Sequence, residues 1–131
     1  MVTEYVQIIS TVLHNLGHSA AFKPTHVNHP CVKWCNESLD NFQFLYKLAD
    51  SLGEEYTHRY KKLHQSHLKL KSMCDRSPGN LCSIGLTPFI NCTPYKDLSV
   101  VEAYRKTYLI DKRHFCKWTN RMSPEWWDVI C

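Results

Sequence analysis

The chain has 131 residues, 44% of them hydrophobic and 21% charged, with 16 Lys and Arg against 12 Asp and Glu and a formal charge of +4 when the His are neutral. That length suits one domain with its own core, and the composition excludes a disordered tail, a collagen-like repeat and a flexible linker. No apolar run approaches the roughly 18 residues of a membrane span, and the mild basic excess permits a polyanionic partner without requiring one.

Residues 3–16 read as a helix. Thr3 is placed to cap it, Tyr5, Val6, Ile8, Ile9, Val12, Leu13 and Leu16 give a broad apolar face, and Gly17 suits the position just past its end. Residues 17–29 carry Gly17, Pro24 and several polar side chains, the chemistry of a loop. A second, short helix starts at Pro30, which loses nothing at the first helical position, with His29 or Asn28 near the cap. Ser38 caps a third helix whose apolar residues, from Leu39 through Phe42, Leu45, Leu48 and Leu52, recur at helical spacing. Gly53 costs about 1 kcal/mol inside a helix. Helix is nevertheless expected to run on towards Tyr60, because Glu54 and Glu55 give way to Arg59, Lys61 and Lys62 in the order that complements the dipole.

A short helix is expected over Gln65–Met73. Residues 74–97, with Pro78, Gly79, Gly85, Pro88 and Pro94, form the longest irregular stretch. Ser99 then caps a last long helix from Val100 to about Trp118, with Val101, Ala103, Tyr104, Tyr108, Leu109, Phe115 and Trp118 on its face. The Ser123-Pro124-Glu125-Trp126-Trp127 segment has the cap-and-proline start of a terminal turn. No strand, internal repeat or low-complexity segment is evident. The expected class is all-α: a compact single-domain helical bundle over residues 1–131, with a long irregular loop before the last long helix.

Seven Cys is an odd number, which argues against a closed disulfide framework. The first seventeen residues contain Glu4, no Lys or Arg and no small-residue cleavage site, unlike a secretory signal. The thiols are therefore expected to be reduced, in a cytoplasmic setting.

Three patterns bear on chemistry. The first is His26, His29, Cys31 and Cys35, spaced H-x2-H-x-C-x3-C. These are sound zinc ligands, but the spacing is not that of the usual fingers. A capped helix start with two core-facing thiols one turn apart is preferred, so no metal is assigned. The same His26, Asn28 and His29 could also face an anion at a helix N-terminus.

The second pattern is two basic stretches. Tyr56–Met73 has no acid but holds Arg59, Lys61, Lys62, Lys69 and Lys71, and Ala103–Arg121 has Arg105, Lys106, Lys112, Arg113, Lys117 and Arg121 against Asp111 alone. Aromatic residues are interleaved, as suits a phosphate backbone with exposed bases. The plainer reading is solvated helix faces over an aromatic core. The functional reading requires the two stretches to converge on one groove. The third pattern is Glu4, one turn from the N-terminal amine: an amine nucleophile beside a carboxylate can attack a sugar C1′. The plainer reading there is a first-turn Glu favoured by the dipole. No nucleophile elbow or glycine-rich phosphate loop is present.

The segments THVNHPCVKW, FLYKLADSLGEEYTHRYKKLH, GLTPF, VEAYRKTYLIDKRHFCKWT and PEWW, in this order over about residues 1–127, resemble a group of small phage-encoded proteins described as pyrimidine dimer DNA glycosylase-like. The resemblance implies a helical protein in which an N-terminal amine attacks the deoxyribose, a helix-borne Glu assists, and Arg and Lys clamp a kinked duplex. Members of the family carry a further N-terminal segment ahead of the stretch matched by MVTEYVQIIST, and this sequence begins at Met1. Gln7 falls where the assisting Glu is expected, and an amide cannot act as a base.

The resulting expectation is a viral DNA-binding protein, with double-stranded DNA as partner, no cofactor and no membrane. Arg59, Lys62, Arg105, Lys112 and Lys117 would contact phosphates. Glu4, His26 and His29 are the candidate catalytic residues for a glycosylase or lyase acting in DNA repair. The alternative is a small viral interaction protein, resident in the host cytoplasm, that binds and inhibits a host protein through an exposed Trp126-Trp127 anchor. A zinc-stabilised structural domain is a third reading.

Overall fold

Residues 2–17, 20, 22–25, 27–73 and 81–127 are described by the computed structural model, the side chain of Phe115 excepted. Five α-helices follow in order: α1 (Val2–Asn15), α2 (Pro30–Cys35), α3 (Leu39–Tyr60), α4 (Gln65–Ser72) and α5 (Val100–Lys106). No strand occurs among the described residues, so the chain is all-α as its periodicity indicated. Residues 81–99 are irregular, in keeping with the expected loop ahead of the last helix. None of the described helices is long and apolar enough to cross a membrane. The chain divides into two compact units, Met1–Pro88 and Phe89–Cys131. They are taken in turn.

In the first unit α1 packs against α2, α3 and α4. Because three helices surround it, its buried set goes well beyond one stripe: Val6, Ile9 and Val12 are fully enclosed, and so are Ser10 and Thr11. The two hydroxyls are satisfied. Ser10 Oγ donates to Met73 Sδ at 3.5 Å, while Thr11 Oγ1 lies 2.6 Å from the Thr25 carbonyl and accepts the Thr25 amide at 3.0 Å. His14 Nε2 lies 2.8 Å from the Phe22 carbonyl. These contacts hitch the loop after α1 back onto the helix. Gly17 ends α1 with φ +85°, the left-handed conformation expected there. Thr3 differs from expectation. It lies inside the helix, and its hydroxyl pairs with Ser66 Oγ of α4 at 2.8 Å instead of capping.

Two helices of this unit start on an imidazole. His29 caps α2, its Nδ1 accepting the Cys31 amide at 3.0 Å, with Pro30 at the first helical position. His64 caps α4 in the same way, accepting from Ser66 N at 3.0 Å. In both cases an unprotonated ring nitrogen does the work usually done by a hydroxyl or carboxylate oxygen. Ser38 caps α3 as expected, accepting the Asn41 amide at 3.1 Å. A short strap crosses this end of α3. Asp40 accepts hydrogen bonds from Gly85 N and Ser83 Oγ at 2.8 and 3.0 Å. Buried Asn41 bridges Trp34 O at 2.8 Å to the Thr87 amide at 3.0 Å.

Gly53 sits in the middle of α3, where glycine is normally a liability. Here the His67 ring of α4 lies against its Cα, and a Cβ at this position would overlap the ring. His67 is 2% exposed, and its Nε2 lies 2.7 Å from Asp50 Oδ1, one turn before the glycine on α3. A missing side chain and a short ion-type hydrogen bond together let α4 dock closely on α3.

In the second unit the expected long helix stops early. α5 is capped by Ser99, as the sequence indicated, but it ends at Lys106. A π-helical turn (Thr107–Asp111) and a 3-10 turn (Arg113–Phe115) follow. Thr107 Oγ1 donates to Ala103 O at 2.9 Å, a back-bond that bends helices, and the Lys112 amide then reaches Thr107 O across a widened turn. The helix therefore does not continue to Trp118. The terminal turn forms where Ser123-Pro124 placed it, as a 3-10 turn over Glu125–Trp127.

Two predictions test this account. Ala normally stabilises a helix relative to Gly by about 1 kcal/mol. Gly53→Ala is instead expected to destabilise by about 1–3 kcal/mol through overpacking against His67, read as a lower urea midpoint, and a raised midpoint would refute the close approach. Burial pushes the pKa of His64 below its ordinary 6.5, and neighbouring charge, including that of His67, adds to this. The folded state then binds fewer protons than the unfolded one between the two values, so this contribution is complete above the unfolded pKa and is lost as pH falls through the folded one. The thermal midpoint should therefore drop between about pH 7 and about pH 5. His64→Asn, which keeps a cap acceptor that does not titrate, should lessen that drop, and an unchanged slope would count against the cap.

Candidate nucleic-acid interface

The C-terminal end of α3 gathers the first basic stretch. Tyr56 and Tyr60 are one turn apart, with ring centroids 4.9 Å apart, and Tyr56 meets the His64 ring edge-on at 4.7 Å. Lys61 closes the helix in the left-handed conformation, φ +56°, its amide donating to Thr57 O. Lys61, Lys62, Lys69 and Lys71 are exposed, as are the side chains of Tyr60 and Leu63. Lys69 Nζ rests 4.3 Å from the centre of the Phe22 ring. Of the two phosphate contacts expected here, Lys62 projects into solvent. Arg59 is half-buried, with Nε donating to Glu55 Oε1 at 2.8 Å.

In the second unit the cations lie over aromatic faces. Arg105 stands 5.5 Å from the centre of Trp126, Arg113 4.8 Å from Trp127, Lys106 4.6 Å from Tyr95 and Lys112 5.6 Å from Tyr108. Arg105, Lys112 and Lys117 are all exposed. Trp118, Trp126 and Trp127 meet edge to face, with centroids 5.2–6.4 Å apart. Rings this close fill the space between them, so the cluster is a small core and not a cage for a cation. Trp127 is buried and Trp126 is half-buried beneath Arg105, which leaves the pair poorly suited as an exposed anchor.

Of the candidate catalytic residues, Glu4 and His29 stand on separate elements. Glu4 is exposed on the first turn of α1, and Gln7 is half-buried one turn on. His26 lies outside the described residues. His29 is occupied as the α2 cap. Cys31 and Cys35 are both buried, and burial, reinforced by Cys31, pushes the Cys35 thiol well above its ordinary range. That favours the capped start with two core-facing thiols over a thiolate ligand set.

The sequence reading missed the Asp50–His67 pair, because His67 sits among cations and looks like part of a solvated face. The signal was Gly53, a glycine inside a long helical pattern that only close packing explains. Asp50 also helps to line a recess of about 270 Å³ with Gln43, Tyr46 and Lys47. The pair has the composition of an acid–base dyad, but His67 Nδ1 is buried and lacks a hydrogen-bond partner. A nitrogen enclosed in this way cannot relay a proton to a substrate, and the pair acts as a fastening between helices. The chain matches no protein-family model, no curated protein and no solved structure.

Asp50→Ala is expected to cost about 1–3 kcal/mol, since it leaves both ring nitrogens of a buried imidazole without partners. Urea unfolding measures this, and the double variant Asp50→Ala with His67→Leu should recover part of the loss.

Proposed function

We propose that this chain is a viral DNA-binding protein of the pyrimidine dimer glycosylase-like kind, acting in the host cytoplasm. Lys62, Arg105, Lys112 and Lys117 contact phosphates of double-stranded DNA, and Arg59 contributes where its pairing with Glu55 allows. The observation that carries this reading is the exposure of cations beside aromatic rings in both basic stretches, with Tyr56–Met73 free of acid. A guanidinium stacked on an indole keeps its in-plane N–H donors available, and less freedom is lost when it grips a phosphate. Long-range attraction by such groups falls with added salt as counterions are released.

A glycosylase or lyase step is the finer part of the proposal. It would use the N-terminal amine as nucleophile with Glu4 one turn away, because Gln7 cannot supply a carboxylate. Inhibition of a host protein is the weaker alternative, since the tryptophans that would anchor it are spent on one another and on Arg105 and Arg113.

Fluorescence anisotropy with a short duplex should show affinity falling steeply between about 50 and 200 mM salt. Lys62→Glu or Lys112→Glu should each weaken binding and lower the salt slope by about 1. Salt-independent affinity would overturn the proposal. Borohydride trapping on abasic DNA tests the amine route separately, and failure to trap an adduct removes the lyase step alone.

A further inference from the structure

We propose that the corner between α3 and α4 binds unpaired bases, with Tyr60 as a stacking platform and Lys61 and Lys62 on the adjoining phosphates. This rests on the DNA-binding reading and narrows the form of nucleic acid that the first unit prefers. Tyr60 is 47% exposed at the end of α3. It does not fold back against the core, because Tyr56 supports it at 4.9 Å and Tyr56 is itself braced by the His64 ring at 4.7 Å. The platform is therefore set before any ligand arrives. Leu63, 54% exposed, adds apolar surface on the same turn of chain. An aromatic ring offers nothing to a base sealed inside a duplex, but it stacks on one that is unpaired.

Lys61 adds an independent observation. The left-handed position that closes a helix is one that glycine occupies without strain, and its amide contact to Thr57 O would be made equally well by glycine. A lysine held there at a conformational cost carries an exposed ammonium group next in sequence to Tyr60 and is followed at once by exposed Lys62, and its charge is the reason we assign for its presence. Anionic character in the ligand follows from the surroundings. Glu55 is paired with Arg59, Glu54 lies on another side of the helix from Tyr60, and no acid follows until after Met73. An anionic lipid surface would also attract these lysines. The braced aromatic pair favours stacking over insertion, and the short α4 has no continuous apolar face to lay into a bilayer.

The test uses the full chain and fluorescein-labelled oligothymidylate of about twelve nucleotides, compared with a duplex of equal length at one salt concentration. Single strand should bind more tightly than duplex. Tyr60→Ala should lower the ratio of single-strand to duplex affinity about tenfold, Tyr60→Leu should lower it similarly while keeping the bulk of the side chain, and Tyr60→Phe should preserve it. Lys61→Gly should raise the thermal midpoint, by removing the strained conformation, and still weaken single-strand binding. A purely structural Lys61 would give the first effect without the second. Equal affinity for both probes, or a ratio unmoved by either Tyr60→Ala or Tyr60→Leu, overturns the inference. If salt-dependent duplex binding persists in that case, the broader DNA-binding reading stands. Loss of salt-dependent binding to both probes sinks the two together. Sedimentation with phosphatidylserine vesicles, with no oligonucleotide binding, would assign the corner to a lipid surface instead.

Discussion

The contact between the His67 ring and the Gly53 backbone sets the geometry of the first unit. A glycine leaves a gap in the side of α3, an imidazole from α4 fills it, and Asp50 fixes the ring with a 2.7 Å hydrogen bond. Any residue with a β-carbon would hold the helices apart. The turn that joins them, from Lys61 to His64, is short because the helices are close, and it is this turn that presents Tyr60, Lys61 and Lys62 together. Core packing and the candidate interface are thus consequences of one close approach. The residual cost is the desolvation of a ring nitrogen, His67 Nδ1, enclosed inside the protein without a hydrogen-bond partner.

The second unit solves a different problem. Among its described residues few side chains are buried, Ala103, Leu109 and Trp127 among them, and these do not make a large aliphatic core. Aromatic rings packed edge to face, with cations laid over the rings, take that role. The same arrangement leaves the positive charge at the surface. Stabilisation and an electrostatic surface come from one set of contacts, which is why the plainer and the functional readings of this stretch were hard to separate by pattern alone. Trp127 is buried, Tyr104, Tyr108, Trp118 and Trp126 are half-buried, and Arg105, Lys112 and Lys117 are exposed.

Helix positions in the first unit were legible because they follow local rules. Pro30 and Ser38 start helices, Gly17 ends one, and α3 follows its apolar spacing to Leu52 and its order of charges on to Tyr60. Thr3 was misjudged because a residue suited to capping can equally serve a neighbour, here Ser66. The imidazole cap at His64 was not foreseen, since histidine is a rare cap and competes with its neighbours for the role. Among the candidate site residues, the exposed lysines could be expected from charge patterning, whereas the Glu55 pairing of Arg59 could be found from its spacing of four but was overlooked. The Asp50–His67 pair was beyond local inspection, because it joins two helices and leaves only the anomalous Gly53 as a trace.

The widened turn over Thr107–Asp111 has a consequence for how this chain tolerates change. It accommodates one residue more than a regular turn, so the residue that leaves it is displaced by about 100° from where a continued α5 would put it. An insertion of a single residue in a formerly regular helix would produce this geometry, and loss of one residue would erase it. The aromatic partner of Lys112, Tyr108, lies within the widened turn, and that of Arg113, Trp127, lies in the terminal 3-10 turn. Length and composition are therefore constrained together in this one turn: Thr107 makes the back-bond to Ala103, Leu109 is buried and Tyr108 lies under Lys112, while a change in the number of residues would shift the cations that follow.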